Sequence, residues 1–253
     1  MIRIADYDRL AEGFDRRYAL YRYEGIQRTL RDFIGADRPA ALEVGCGTGH
    51  WLASVADEVA SLVGLDPSSE MLARASRAAP AAKLVRGCAE ALPYRDRTFD
   101  RIFCVNALHH FADRTRFFSE AHRVLKRGGG LLTIGKDPHA ELDAWWVYDY
   151  FPGTRDIDRR RFARVRTLRG ELAHAGFTWA ESFEAEHVDV LIPAAEAFQS
   201  GIIDPAHSSQ LALLTEDEMR QGVERLRAAD READGGLQLV ADFRLFATVG
   251  WLA

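Results

Sequence analysis

The sequence predicts an α/β fold: a seven-stranded, mostly parallel sheet with helices on both faces and helical insertions that form a lid. Three observations carry that expectation. The apolar run Ala40 to Val44 meets glycines at alternate positions, Gly45, Gly47 and Gly49, and an apolar helical pattern follows from Trp51, which reads as strand, tight loop and helix. The alternation of short apolar runs with helical stretches then recurs down the chain. The second apolar run ends in an acidic residue, Asp66, at the edge where open α/β sheets bind ligands.

At 253 residues the chain has room for one large domain or two small ones, and 47% hydrophobic residues supply a sizeable core. No linker, repeat or low-complexity segment divides it, so a single domain over 1–253 is expected. No apolar stretch approaches the roughly 20 residues of a membrane span, and Met1 to Arg9 lacks the apolar centre of a secretory leader; a cytoplasmic protein is expected. Cys46, Cys88 and Cys104 are odd in number, widely spaced and without paired metal-ligand spacing, which predicts reduced thiols and no metal. The formal charge of −5 argues against a general polyanion binder. Lysine occurs only at Lys83, Lys126 and Lys136, so arginine clusters reflect a bias and carry little weight.

In the first loop, glycine permits positive φ and lets a ligand approach the main chain, while the next helix offers unpaired amide N–H groups; a nucleotide-bearing ligand is implied. The spacing is Gly-x-Gly-x-Gly after Glu43, not the Gly-x-Gly-x-x-Gly of dinucleotide binders, which disfavours a nicotinamide oxidoreductase. Glu43-Val-Gly-Cys-Gly-Thr-Gly49 resembles the first motif of class I S-adenosylmethionine-dependent methyltransferases, of the small-molecule, UbiE-like type. Later segments keep resembling that family in order, specifically over 41–135 and loosely elsewhere. The resemblance implies a Rossmann-like sheet with its last strand inserted antiparallel, and S-adenosyl-L-methionine as cofactor, leaving as S-adenosyl-L-homocysteine. It also implies cofactor contacts from Glu43, Gly45, Cys46, Gly47 and Gly49.

Residues 1–36 read as helical, with Leu10, Phe14, Tyr18 and Tyr21 on one face. Tyr7-Asp-Arg-Leu-Ala11 with Phe14 resembles a family segment that closes over the cofactor, and plain packing on the domain competes with that lid role. The second strand, Ser61 to Leu65, ends in Asp66-Pro67, where a carboxylate can accept two ribose hydroxyls side by side; a helix cap at Asp66 is the competing role. Lys83 to Arg86 is the third strand, followed by Gly87-Cys-Ala-Glu-Ala-Leu-Pro93. In the family a polar residue commonly sits where Cys88 is and contacts the adenine; Cys88 departs from this, so the Ala89 backbone is the expected contact, with Glu90 in the same cofactor loop and Leu92 and Pro93 lining the pocket.

Phe99 to Val105 is the fourth strand, and Asn106-Ala-Leu-His-His-Phe111 leaves its carboxyl end, where a methyl acceptor would meet the sulfonium. Asn106 joins the cofactor set, and His109 or His110 is a candidate general base, or else walls the cofactor. Asp113 to Val124 predicts a helix with a basic last turn and a glycine stop at Lys126-Arg-Gly-Gly-Gly130, then a fifth strand at Leu131 to Ile134; His122 is an ordinary helix residue. The segment 136–165 breaks the rhythm with five aromatics between Trp145 and Phe151, which either lid the acceptor or pack in the core, and it adds Tyr148 as a candidate base. Asn106 and Asp137 alone make a thin case for a metal. Seven arginines between Arg155 and Arg169 read as a solvated helix approach before a nucleic-acid stripe.

A helix at Leu168 to Gly176 and a strand at Thr178 to Val190 follow. A helical stretch spans Leu191 to Asp234, with a capping box at Thr215-Glu-Asp-Glu218, and a last strand runs from Leu237 to Trp251. The insertions 136–165 and 191–235, with the N-terminal helix, are expected to build the acceptor pocket. The function so implied is methyl transfer by in-line displacement to an oxygen, nitrogen or carbon of a small-molecule acceptor. An RNA or protein methyltransferase and a non-catalytic S-adenosylmethionine-binding module are the alternatives, and no oligomeric state is implied.

Overall fold

The computed structural model describes residues 15, 18, 20–205 and 208–253. The parallel part of its sheet is β1 (Ala40–Val44), β2 (Ser61–Asp66), β3 (Lys83–Arg86), β4 (Phe99–Val105) and β5 (Leu125–Gly135). Two long strands, β7 (Trp179–Pro193) and β8 (Gln238–Trp251), complete it with the short β6 (Ala144–Trp145). The order is β3-β2-β1-β4-β5-β8, with β8 antiparallel to β5 and paired on its far side with β6 and β7. β1 is covered on both faces, which explains why it reads as one apolar run instead of an alternation. β4 shows how the two faces divide: Phe103 and Val105 enter the core on one side, Ile102 and Cys104 the core on the other.

Ten α-helices are described: α1 (Glu24–Ile34), α2 (His50–Val55), α3 (Ser69–Ala78), α4 (Arg114–Val124), α5 (Trp146–Tyr150), α6 (Thr154–Arg161), α7 (Val165–His174), α8 (Ala194–Ser200), α9 (Ser209–Ala212) and α10 (Glu216–Glu232). Ile26, Leu30 and Ile34 of α1 and Leu52 of α2 fill the first core, Phe117, Phe118 and Leu172 of α4 and α7 the second. The first turn of α1 has no side-chain cap of its own. The Glu186 carboxylate of β7 accepts from the Gly25 and Ile26 amides at 2.7 and 3.3 Å instead, and so fixes where the preceding chain enters the molecule. Among the described residues no helix is long and apolar enough to cross a membrane.

Five sequence expectations are corrected. The helix expected over 1–36 is interrupted at residues 21–23, where Tyr23 takes φ 49°, and α1 begins only at Glu24. An eighth strand is present, the two-residue β6, too short to carry a periodic signal. β5 begins at Leu125, directly after α4, so Lys126 to Gly130 continues as extended chain and does not stop a helix; Gly130 is needed because a Cβ there would stand 2.7 Å from the Trp251 ring. β7 runs on to Pro193, and the stretch expected to be helical from Leu191 holds three separate helices. The last of these does carry the Thr215–Glu218 capping box. The cap of α3 is Ser68, whose hydroxyl accepts from Met71 N at 3.1 Å, and not Asp66. The segment Tyr7 to Phe14, including Leu10, lies outside the described residues.

Candidate functional site

The strand order reverses between β1 and β4, and a cleft of about 280 Å³ opens there, at the carboxyl ends of β1, β2 and β4. Gly45 and Gly47 line it with φ of 76° and 51°. A Cβ on Gly45 would fall 2.5 Å from that of Ala107, so this turn excludes every side chain. The loop is tied to β2: the Gly45 and Cys46 amides donate to Leu65 O at 2.8 and 3.1 Å, and the Gly47 amide donates to Asp66 Oδ2 at 2.9 Å. These loop amides are spent on the scaffold, and what the glycines supply is bare backbone at the cleft wall. Gly49 does not line the cleft; it stands at the start of α2 with φ 85°, packed so closely on α3 that a Cβ would reach 2.9 Å from Ala75 Cα. Cys46 lines the cleft, but burial pushes its thiol pKa far up and leaves it inert.

Two carboxylates line the same cleft. Asp66 is held by two backbone donors, Gly47 N on one oxygen and Ser68 N on the other, both at 2.9 Å. Glu43 is fully buried and, among the described residues, neither of its oxygens has a hydrogen-bond partner; the Leu52 amide faces it without closing a bond. Burial, and then the charge of Asp66, hold the Glu43 carboxyl well above the usual carboxylate range. Pro67, Cys88 and Glu90 form the rim. Glu90 Oε1 accepts from the Ala112 and Asp113 amides at 2.7 and 3.2 Å, stapling the segment after β3 to the segment after β4. Ala89 lies buried beneath that rim and Cys88 is an exposed free thiol.

Asn106 leaves β4 with φ 51°, an uncommon position for a residue with a side chain, and His109 and His110 follow in a 3₁₀ turn. Asn106 and His110 line the cleft and also a second cavity of about 70 Å³, bounded by Tyr21, Lys136, Trp145, Gln210 and Phe243 among others. His109 lines the second cavity and not the cleft, stacked on Phe162 with 3.9 Å between ring centres. Tyr148 lines neither space. Its hydroxyl donates to Asp158 Oδ2 at 2.8 Å, and the fully buried Asp158 also accepts from Arg161 at 2.6 Å and from Gln210 Nε2 at 2.9 Å. Burial and the Asp158 charge drive the phenol pKa upward, so Tyr148 holds a structural node and the structure does not bring it to the cleft.

The other aromatics of that run divide the same way: Trp146 and Phe151 are core, and Trp145 alone lines the second cavity. Three of the seven arginines are engaged within the protein: Arg161 turns inward to Asp158, Arg155 lies 4.7 Å over the Tyr148 ring and Arg159 pairs with Glu141 at 2.7 Å, while Arg160, Arg164, Arg166 and Arg169 are exposed. Among the described residues no group of three or more His, Cys, Asp or Glu could hold a metal, and Asp137 is occupied by the His139 and Val165 amides. Sequence reasoning missed Trp51, Met71 and Phe111 on the cleft and Lys136 on the second cavity. Trp51 was readable as the first large apolar residue after its loop. Tyr18, within the segment 1–36 expected to form an N-terminal helical lid, stacks on His50 at 3.6 Å and lines one side of the cleft.

A family profile described as "Methyltransferase domain" matches residues 42–133, the stretch that contributes most of the cleft. The demethylmenaquinone methyltransferase of Chlorobaculum tepidum is 34% identical over 188 residues, covering 64% of this chain and 75% of that protein. The chain belongs to the class I S-adenosylmethionine-dependent methyltransferases. It is of their UbiE-like type. The malonyl-[acyl-carrier protein] O-methyltransferase of Methylococcus capsulatus is 35% identical over 178 residues, 66% of this chain and 62% of that one. A putative methyltransferase from an antibiotic biosynthesis pathway of Anabaena variabilis has the same fold, with a TM-score of 0.67 at 22% identity over 88% of this chain and 95% of that chain. Methyltransferases of this class use S-adenosylmethionine, and the cleft fits it: a buried acceptor without a donor, Glu43, suits a ligand that brings an ammonium, and bare glycine backbone leaves room for it.

Proposed function

We propose that this methyltransferase acts on an oxygen, nitrogen or carbon of a small-molecule acceptor seated in the second cavity, by in-line displacement. The observation that carries the reading is the wall shared by the two spaces, where Asn106 and His110 line both. When bound, S-adenosylmethionine supplies an activated methyl group on a sulfonium. Glu43 takes its ammonium, Asp66 its ribose hydroxyls and the Gly45–Gly47 backbone the chain between them. Pro67, Cys88 and Glu90 flank the adenine.

The remaining task is to place an acceptor lone pair about 3–3.5 Å from the methyl carbon and keep water out. Tyr18 over His50 covers the cleft for the second purpose. His110 takes the proton from an oxygen or nitrogen acceptor, with His109 held behind it against Phe162. A small acceptor agrees with the printed name of the demethylmenaquinone relative, and the charge of −5 weighs against RNA.

The test is to incubate the protein with methyl-labelled S-adenosylmethionine and the small-molecule, RNA and protein fractions of a host extract, and follow the label by mass spectrometry. Label in a small molecule is expected, with a loss of about 100-fold in rate for His110→Gln. Label in RNA or protein, or tight S-adenosylhomocysteine binding with no labelled fraction, contradicts the proposal.

A further inference from the structure

The second cavity contains polar atoms that methyl transfer itself does not use. Lys136 follows β5 directly, and its side chain is only 6% exposed. Its Nζ lies 3.7 Å from the centre of the Trp145 ring, 4.2 Å from that of Phe243 and 3.7 Å from Asp143 Oδ2, too far for a hydrogen bond. Neither Lys136 Nζ nor Asp143 Oδ2 has a hydrogen-bond partner among the described residues. Burial pulls the Lys136 ammonium below the usual lysine range, with the Asp143 charge opposing it.

Among the described residues two more donors on the same wall are unsatisfied, the Tyr21 hydroxyl and the Trp145 indole N–H. The indoles of Trp145 and Trp146 face the Tyr21 oxygen without closing a bond, which leaves the phenol proton without an acceptor; burial pushes that phenol up to about 12. The chain carrying Tyr21 and Tyr23 is fixed in place by Glu186 at the start of α1. The set is uneven. Lys136, Tyr21 and Trp145 line the cavity and are donors, whereas Asp143 does not line it and its other oxygen accepts from Arg244 N at 3.3 Å.

Buried donors left without acceptors are costly, and native proteins rarely keep several together. A cationic ligand here would face the like charge of Lys136. An uncharged apolar ligand would leave all three donors unmatched, and an anionic oxygen group would close them. We propose that the second cavity selects acceptors bearing a carboxylate, with Lys136 as the specificity-determining residue and Tyr21 beside it. At about 70 Å³ the cavity takes the carboxylate head, and the rest of the acceptor extends toward Asn106 and His110. The inference rests on the reading above, in which this cavity holds the methyl acceptor.

The three lysines make the test direct. Protein labelled with carbon-13 at lysine Cε gives three resonances, with that of Lys136 assigned by Lys136→Met. Protein saturated with S-adenosylhomocysteine is titrated with acetate, benzoate and phenylacetate, and with the matching amides. The Lys136 resonance is expected to move saturably with at least one carboxylate and with none of the amides. Tyr21→Phe is expected to weaken that carboxylate about tenfold while S-adenosylhomocysteine affinity stays unchanged. A Lys136 resonance unmoved by every carboxylate, or an amide that binds as well as its carboxylate, overturns the proposal even if Lys136→Met does not fold. Failure of S-adenosylhomocysteine to bind in the same samples removes the underlying reading as well.

Discussion

The two spaces on either side of Asn106 and His110 are built in opposite ways. The cleft is made by segments that each leave the carboxyl end of a strand and are already at the site: 43–48 after β1, 66–67 after β2, 88–90 after β3 and 105–112 after β4. Most of its polar groups are committed to the scaffold, and the orphan that remains is an acceptor, Glu43. The second cavity draws Tyr21, Lys136, Trp145, Gln210 and Phe243 from distant parts of the chain, and its orphans are donors. The cleft is thus a property of local motifs on a sheet edge, while the neighbouring pocket is a product of tertiary packing.

The sharpest way to break the comparison is at Asp158, the node that ties α5, α6 and Gln210 together. Asp158→Ala strands the buried Arg161 guanidinium and should cost about 3–5 kcal/mol of stability by urea unfolding. At a temperature where the variant is still folded, its affinity for S-adenosylhomocysteine should change by less than about threefold, since the node touches only the second cavity's wall. On the cleft side, Asp66→Ala removes the anchor of Gly47 and a charge-assisted contact, so calorimetry should show cofactor binding weakened by about 1–3 kcal/mol. Unchanged affinity takes Asp66 out of the site.

Glu43 sharpens the contrast through pH. Its folded-state pKa is raised, so the native chain keeps a proton that the unfolded chain has lost; its contribution to stability is fullest below the unfolded value of about 4.3 and fades as pH rises toward the folded one. An incoming ammonium should drive that proton off. Titrations of S-adenosylmethionine at neutral pH in two buffers of different ionisation enthalpy should reveal proton release, absent in Glu43→Gln. That variant should also unfold at a higher temperature than the parent at neutral pH when empty, yet bind the cofactor more weakly. The smallest effect is expected for Arg159→Ala, an ion pair with a half-exposed guanidinium and a more exposed Glu141: less than about 0.5 kcal/mol in unfolding, with no change in which extract fraction takes label.

The local signals were readable from sequence to the residue. β3 and β4 run from Lys83 to Arg86 and from Phe99 to Val105 as their apolar patterns indicate, and α10 starts where the Thr215 capping box puts it. Glu43, Gly45, Cys46, Gly47, Asp66, Pro67, Cys88, Glu90 and Asn106 meet in one cleft because each sits a step or two beyond a strand end. Gly49 and Ala89, from the same motifs, fall just behind it. What could not be read depends on partners far away in the chain. Lys136 matters only once Trp145 and Phe243 are folded over it, and Tyr148 is withdrawn from the cleft by Asp158 and Gln210. The start of β5 was hidden because three glycines look like a helix stop until Trp251 packs on Gly130.

The most direct test of the account is a crystal structure with S-adenosylhomocysteine bound. The account predicts the amino acid end at Glu43, the ribose at Asp66, and the sulfur turned toward the wall formed by Asn106 and His110, facing the second cavity. A sulfur directed away from that wall, or a ligand seated outside the cleft at the ends of β1, β2 and β4, would contradict it.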